Sequence, residues 1–436
     1  MNGYRNLKVA LLGCGSVGAQ VARLLREHGD ELALRVGARL ELTGIAVRDT
    51  SAPRDVELPQ ELFTTDAEQL VLGADIVVEL MGGIEPARGL ITRALGAGAD
   101  VVTANKALIA EHGGELAETA EQVGAQLYYE AAVAGAIPII RPLRESLAGD
   151  HITRVMGIVN GSTNYILDRM DRFGDSAEDA ARVASDLGFL EADPTLDVEG
   201  YDAQQKAAIL AGIAFHTNVP VSAVHREGIT QITATQIEAA RAAGFVIKLL
   251  AIAERVTDDA GVEGVSARVY PALIERQHPL ATVHEGKNAI FVEAEAAGSL
   301  MFYGAGAGGK ETASAVLGDL VSAARRHVVG GPGIPGSTHA NLPILEIGEV
   351  LTQYQIMLEV TDEPGVLAQV ATVLAEQGVS VASVEQSVPR DAAGTATLVL
   401  GTHTAREAAL AATVAALSEC SAVTAVTSVL RVEGNS

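Results

Sequence analysis

The sequence predicts an α/β chain of three parts, and three observations carry that expectation. Short β-branched runs alternate with helical patterns over the first 130 residues. Strands and helices then mix irregularly from 138 to about 309, and a compact βαββαβ pattern closes the chain after a stretch dense in Gly and Pro. Length agrees: 436 residues are too many for one core, and about three domains is the natural expectation. With 48% hydrophobic residues and 45 glycines there is ample material for packed cores joined by tight turns.

Taken in order, residues 1–137 offer the strands LKVALLG (7–13), RLELTGIAV (39–47), ADIVVEL (74–80), DVVTAN (100–105) and QLYYEAAV (126–133). Helices such as VGAQVARLLREH and PARGLITRALGAG lie between them, which points to a parallel sheet wrapped by helices. Residues 310–330 are expected to return to this part as a helix. The second part, 138–309, reads as α+β. The helical stretches PIIRPLRESLAG, TNYILDRMDR, SAEDAARVASDLG and AQQKAAILAGIAF stand among the strands ITRVMGIVN, VIKLLAIAERV, VEGVSARVYPALI and AIFVEAEA. Residues 331–352 read as a linker, since VVGGPGIPGSTHANLP (328–343) is rich in helix and strand breakers. Residues 353–436 supply YQIMLEV, a helix GVLAQVATVLAEQG, then SVASVEQSV, ATLVLGTH, a helix AREAALAATVAALSE and VTSVLRV.

Bulk charge and composition exclude several classes. A net charge of −24 argues against nucleic acid and against anionic membrane surfaces. The two cysteines, Cys14 and Cys420, lack the neighbours of a zinc site, and the ten histidines include no pair with metal-ligand spacing. The most apolar segment, GFVIKLLAIA, carries Lys248, and the N-terminal apolar run is short and breaks on glycines. A soluble, cytoplasmic protein is expected.

GCGSVG (13–18) has the G-x-G-x-x-G pattern directly after a strand and opening a helix. In that context Gly13 allows the tight turn, Gly15 lets a pyrophosphate approach the backbone, and Gly18 lets helix and strand pack closely, as in a Rossmann domain. Ser16 and Val17 would offer their N–H groups to the phosphate at the helix start. The second strand ends at Arg48, which suits the 2′-phosphate of NADP, while Asp49 behind it keeps NAD as the alternative. TANK (103–106) brings Thr103 and Lys106 to the carboxyl edge of the sheet, where such folds bind ligands. A second glycine-rich turn, GAGAGGKETASAV (304–316), precedes a helix, and Gly304 and Gly306 are the candidates for close approach to the cofactor.

EADPTLDVEGYDAQQK (191–206) crowds Glu191, Asp193, Asp197, Glu199 and Asp202 ahead of Lys206. Lys206 projects from a helix with very little polarity. Burial disfavours its charged form and a carboxylate one turn away favours it, so the balance can leave a proton available for general acid work.

These stretches, together with ELMGGIEPA (79–87), TANKALIA (103–110), GIVNGSTNYIL (157–167) and GAGAGGKETASAVLGDL (304–320), resemble homoserine dehydrogenase of the long type with a C-terminal ACT domain. The resemblance covers essentially the whole chain. One small departure is Ser162, where the family commonly has Thr; the hydroxyl is kept. The resemblance implies reversible NAD(P)-dependent reduction of L-aspartate 4-semialdehyde to L-homoserine. It implies Lys206 as proton donor, Asp202 as its partner, Glu191 as receiver of the substrate amino group with Asp197 assisting, Gly188 against the cofactor, and Lys106 near the nicotinamide and reacting carbonyl. It also implies a monovalent cation, typically sodium, at Glu130, Val133, Gly135 and Ile137. In the last part, Asp362, Pro364, Gly365 and Leu367 match the D-x-P-G-x-L signature of an ACT domain. That implies an amino-acid effector, threonine being favoured as a product of homoserine, and a homo-oligomer, dimer or tetramer. The rival reading is a non-catalytic, nucleotide-linked amino-acid sensor, against which Lys106, Glu191, Asp202 and Lys206 stand together. An acylating dehydrogenase on the same scaffold would need a catalytic cysteine, and Cys14 lies inside the phosphate turn.

Overall fold

The computed structural model describes residues 5–190, 193–330, 339–387 and 394–434. It divides into two compact units, one of Met1–Val155, Gln205–Ser222 and Lys287–Asn341, the other of Met156–Gln204, Ala223–Gly286 and Leu342–Ser436. The fold is mixed α/β. No helix among the described residues is long and apolar enough to cross a membrane.

In the first unit six strands form one parallel sheet: β1 (Arg5–Leu12), β2 (Ala38–Ala46), β3 (Phe63–Thr64), β4 (Ile76–Glu79), β5 (Asp100–Thr103) and β6 (Leu127–Tyr128). Their order is β3-β2-β1-β4-β5-β6, the doubly wound order with its crevice beside β1. Val9, Leu11, Val78 and Val102 are fully or almost fully buried because helices cover both faces, as a parallel sheet requires. Helix Ser16–Glu27 sends Val21, Ala22 and Leu25 into the same core that receives Ala313, Val316, Leu320 and Ala323 from helix Gly309–Val329. The alanines allow the two helices to come close.

Two stretches depart from the expected elements. QLYYEAAV reads as a strand, yet only Leu127–Tyr128 pairs with β5, and Ala131–Ala134 is a helical turn. The turn forms because the Glu130 carboxylate is captured by main-chain N–H groups of residues 139–141. Residues 298–305, absent from the expected strands, form a strand in a hairpin with Lys287–Ala294, so Gly304, expected to open a glycine-rich turn, is paired with Asn288.

In the second unit Phe245–Thr257 and Glu263–Glu275 pair antiparallel along their full 13 residues. Val423–Glu433 then joins Glu263–Glu275 in parallel through Ala272↔Arg431, Leu273↔Val432 and Ile274↔Glu433. On its other side Val423–Glu433 pairs with Leu351–Thr361, which leads on to Thr395–Thr402 and Val381–Ser387. The C-terminal βαββαβ module therefore shares one sheet with the strands before it. Its own core unites Ile356, Leu358, Leu398 and Leu400 with Val370 and Leu374 of helix Val366–Glu376 and Leu410 and Leu417 of helix Glu407–Glu419. Of the Gly/Pro-rich stretch, residues 331–338 lie outside the described residues. Its end runs along the sheet, with the Val265 N–H donating to the Pro343 carbonyl and the Leu345 N–H to the Val265 carbonyl, both at 2.8 Å.

Candidate active site

At the crevice of the parallel sheet each glycine of GCGSVG has its own physical reason. Gly13 has φ +97°, and a Cβ there would lie 2.8 Å from the Leu80 carbonyl oxygen. Gly18 faces the turn so closely that a Cβ would stand 2.3 Å from the Gly13 oxygen. A Cβ on Gly15 would meet nothing within 4 Å, so the space above the helix start is open. No side chain caps the helix that begins at Ser16 and Val17, which leaves its first N–H groups for an anion. Gly309, at the start of its own helix, comes within 3.0 Å of the Ser16 oxygen by the same measure. The arrangement fits a dinucleotide pyrophosphate. Gly304 instead faces Ile137, and the space beside Gly306 is filled by the Asn288 amide, so Gly309 is the residue of the second turn that reaches the first. Sequence reasoning missed it, although the run of glycines before a helix was the signal.

Arg48 is exposed just beyond the end of β2. Asp49 turns back on its own loop, accepting from the Ser51 N–H at 2.8 Å and hydroxyl at 2.7 Å, and these bonds hold its carboxyl below the usual range. Arg54, unremarked in the sequence, donates to the carbonyls of Asp49 and Ala52 and lies over the Phe63 ring at 4.1 Å. It also faces Cys14 in the phosphate turn: burial pushes that thiol up, against the pull of the guanidinium. A second cation therefore stands beside the turn.

At the carboxyl edge Thr103 donates its hydroxyl to the buried Glu79 carboxylate at 2.6 Å, and Glu79 also accepts from the N–H groups of Met81 and Gly82. Asn105 caps the helix Lys106–Val123 and donates to the Gly83 carbonyl at 2.6 Å. Lys106 thus begins a helix whose entry is fixed from both neighbouring strands, and it is half-buried there.

Glu130 is buried, and each of its oxygens accepts twice: Oε1 from the N–H groups of Ile139 (2.6 Å) and Ile140 (2.7 Å), Oε2 from Arg141 N–H and Nε, both at 3.0 Å. Gly135 has φ +58° and backs onto the Gly306 carbonyl, while Val133 and Ile137 are buried. The Glu130 carboxylate is spent on capping, so these residues as arranged do not fit a cation held by that side chain. Asp319 accepts from the Glu130 N–H at 2.8 Å, and burial pushes its carboxyl up to about 7.

In the second unit the acidic segment is organised around Asn160, the N-cap of helix Gly161–Phe173. Its carbonyl oxygen accepts from the Thr163 N–H at 2.9 Å, which aims the amide outward. Nδ2 donates to Asp197 Oδ1 at 2.7 Å and to Asp202 Oδ2 at 2.9 Å. Two carboxylates are thereby held side by side, at a cost in mutual repulsion that a cation between them would relieve. Asp193 serves a different purpose, accepting from the Thr195 N–H and hydroxyl to start the turn Thr195–Val198. Glu191 lies outside the described residues. Gly188, φ +76°, follows helix Ala177–Asp186 with open space beside it. The Ser162 hydroxyl donates to the Phe189 carbonyl at 2.6 Å, and the Phe189 ring stacks on Tyr165. Asn160 was missed as a functional residue even though GIVNGSTNYIL had marked the stretch as specific.

Asp202 and Lys206 lie one turn apart on helix Tyr201–Phe215, and both are buried. That helix is apolar on nearly every face, so its lysine is placed by packing rather than by solvent.

At the turn Asp362–Leu367 an exposed Gly365, φ +97°, leads into helix Val366–Glu376 with no side-chain cap. Asp362, Pro364 and Leu367 are exposed around it.

Comparison with known proteins identifies the family. Family models described as homoserine dehydrogenase, its NAD binding domain, and the ACT domain match residues 138–321, 13–130 and 354–421. A homoserine dehydrogenase of Corynebacterium glutamicum is 55% identical over 427 residues, covering 98% of this chain and 95% of the relative. The crystal structure of a homoserine dehydrogenase from Thiobacillus denitrificans superposes with a TM-score of 0.90 at 36% identity, covering 99% of each chain. A hyperthermophilic archaeal homoserine dehydrogenase in complex with NADPH gives 0.61 at 27% identity, over 76% of this chain and 99% of its own. The chain belongs to the homoserine dehydrogenases, NAD(P)-dependent oxidoreductases that here carry a C-terminal ACT domain.

Proposed function

We propose that the chain divides the reversible reduction of L-aspartate 4-semialdehyde to L-homoserine among its residues as follows. Gly13, Gly15, Ser16, Val17 and Gly18 receive the cofactor pyrophosphate on the open helix start, with Gly309 beside them and Gly188 leaving room for the remainder, while Gly304 and Gly306 are taken up by Ile137 and Asn288. The bound nicotinamide supplies the hydride. Lys206 gives its proton to the aldehyde oxygen as it becomes an alkoxide and takes it back in the reverse direction, and Asp202 orients it from one turn away. Glu191, Asp197 and Asp202 receive the substrate ammonium. Thr103 fixes the edge from which Lys106 faces the reacting carbonyl. The observation that carries this reading is the Asn160 amide, which binds Asp197 and Asp202 into one anionic group at the start of the Lys206 helix.

NADP is the favoured cofactor. Arg48 and Arg54 offer cations near the phosphate turn, Asp49 is occupied with Ser51, and the archaeal relative is described with NADPH. A monovalent cation at Glu130, Val133, Gly135 and Ile137 would have to rest on main-chain carbonyls. The turn Asp362–Leu367 is proposed to take an amino-acid carboxylate on its free N–H groups, threonine being favoured, in an oligomer whose modules complete each other's sites. Free cysteines at 14 and 420 accord with a cytoplasmic enzyme. The test is homoserine oxidation followed at the nicotinamide absorbance with NADP and NAD in parallel. Turnover with neither cofactor overturns the reading, and a clear preference for NAD overturns the choice of cofactor.

A further inference from the structure

Within the second unit, residues 225–229 lie between the acidic segment and the C-terminal module. On one side they hold the main chain between Asp197 and Asp202. The Arg226 guanidinium donates to the Glu199 carbonyl and covers the Tyr201 ring at 3.7 Å. The Ile229 N–H donates to the Val198 carbonyl at 2.8 Å. Gly228 is so close that a Cβ would stand 2.4 Å from the Val198 oxygen, and a Cβ on Gly200 (φ +82°) would lie 3.3 Å from the Glu227 oxygen. The contact is main chain on main chain, which leaves little freedom for one segment to shift without the other.

On the other side the same residues are held by Arg431 of strand Val423–Glu433. Its Nη1 lies 3.0 Å from Glu227 Oε2 and 2.9 Å from Oε1, and its Nη2 donates to Glu407 Oε1 at 2.7 Å. Glu407 begins the helix Glu407–Glu419 and also accepts the Tyr354 hydroxyl at 2.6 Å. The guanidinium lies over the Tyr270 ring at 4.5 Å, so its plane is set from three directions. Glu227 is completed by His225 at 2.8 Å; burial raises its carboxyl, and His225 with Arg431 more than offsets that.

We propose that Arg431 is a positioning residue for substrate binding: through Glu227 it fixes residues 225–229, and these fix the 198–201 backbone that sets Asp197 and Asp202 about Asn160. The C-terminal module thereby contributes to the ammonium site through one guanidinium fork. The proposal rests on the reading that Asp197 and Asp202 receive the substrate ammonium.

Three single variants of the full chain test it: Glu227→Gln, Arg431→Lys and Asp197→Asn. Glutamine keeps the shape of a partly exposed side chain and removes its charge, while lysine keeps a charge but cannot fork to two carboxylates. Glu227→Gln and Arg431→Lys are each expected to raise KM for homoserine about three- to tenfold, with kcat within about twofold and KM for the cofactor unmoved, the pattern of lost binding rather than lost chemistry. Because they break one route, the double variant should be no worse than the more affected single. A purely structural role would move the melting temperature and leave this split absent. If Asp197→Asn leaves KM for homoserine unchanged, the reading of the acidic segment fails and takes the proposal with it. If Asp197→Asn raises KM but Glu227→Gln does not, the site stands and the coupling through Arg431 is overturned. Strictly additive effects in the double variant overturn it as well. Should Arg431→Lys not fold, Glu227→Gln decides alone.

Discussion

Lys206 is the proposed proton donor to the developing alkoxide, the buried cation of helix Tyr201–Phe215. Lys206→Ala should lower kcat by roughly 100-fold or more, the usual scale for losing a general acid, with the KM for cofactor retained. A variant within about threefold of the parent would remove the proton-donor role. Asp319 makes a prediction of another kind. It is packed with Glu130, Arg141 and Arg144, and burial raises its carboxyl from an ordinary 3.8 to about 7. Between those values the folded chain keeps a proton that the unfolded chain has released, so this group's contribution is complete below about pH 4 and is lost as pH rises through 7. Measured against Asp319→Asn by urea unfolding, the parent should lose stability from pH 5 to pH 8, by roughly 2–3 kcal/mol. A difference between the two that does not change with pH would mean Asp319 is ionised throughout. These two residues also differ in legibility. Lys206 could be read from sequence because helix period and an acidic run are local patterns. The partners of Asp319 are set by packing alone, with Glu130 lying 189 positions away.

At the scale of elements, the strands and helices of the nucleotide-binding part follow from local pattern, since β4 and β5 are built on the β-branched runs IVV and VVT and β1 ends in the apolar run VALL before the glycine turn. The pattern fails where a side chain overrides propensity. At 126–133 the Tyr and Ala residues suggest a strand, but a buried Glu130 needs four N–H donors and the chain turns to supply them. At 304–316 the glycines read as a turn from their start, because the sequence does not reveal that Gly304 is packed against Ile137 at the end of a paired strand. The candidate site divides in the same way. The phosphate turn and the acidic segment were visible as motifs, whereas the Asn160 bridge and the Gly309 approach depend on tertiary contact. The loop after β2 carries its own prediction. With Asp49 occupied by Ser51, Arg48 is the group free to meet a 2′-phosphate, so Arg48→Ala should raise KM for NADP far more than for NAD. Equal effects on the two cofactors in initial-rate measurements would make Arg48 a bystander and leave Arg54 as the candidate.

At the scale of the molecule, the C-terminal module is no pendant: Val423–Glu433 lies in the same sheet as Glu263–Glu275, against the fully buried Ala272, Leu273 and Ile274. A chain ended near residue 345 would uncover that strand, leaving unpaired main-chain groups along an apolar edge. Truncation therefore confounds loss of a regulator with loss of a structural strand, and the effector question has to be put by point substitution. Gly365 has φ +97°, a conformation that side chains resist, so Gly365→Ala should distort the turn that begins the helix while leaving the module's core untouched. If threonine acts here, its binding must favour one conformation over another, and such coupling is typically about 1–3 kcal/mol. The parent should be inhibited by threonine, and both Gly365→Ala and Asp362→Ala should need at least about fivefold more of it, with uninhibited turnover preserved. The truncated chain should instead lose melting temperature or precipitate, whatever threonine does. Equal threonine sensitivity in the parent and both point variants would remove the turn Asp362–Leu367 from regulation and leave the module the structural part its shared sheet already gives it.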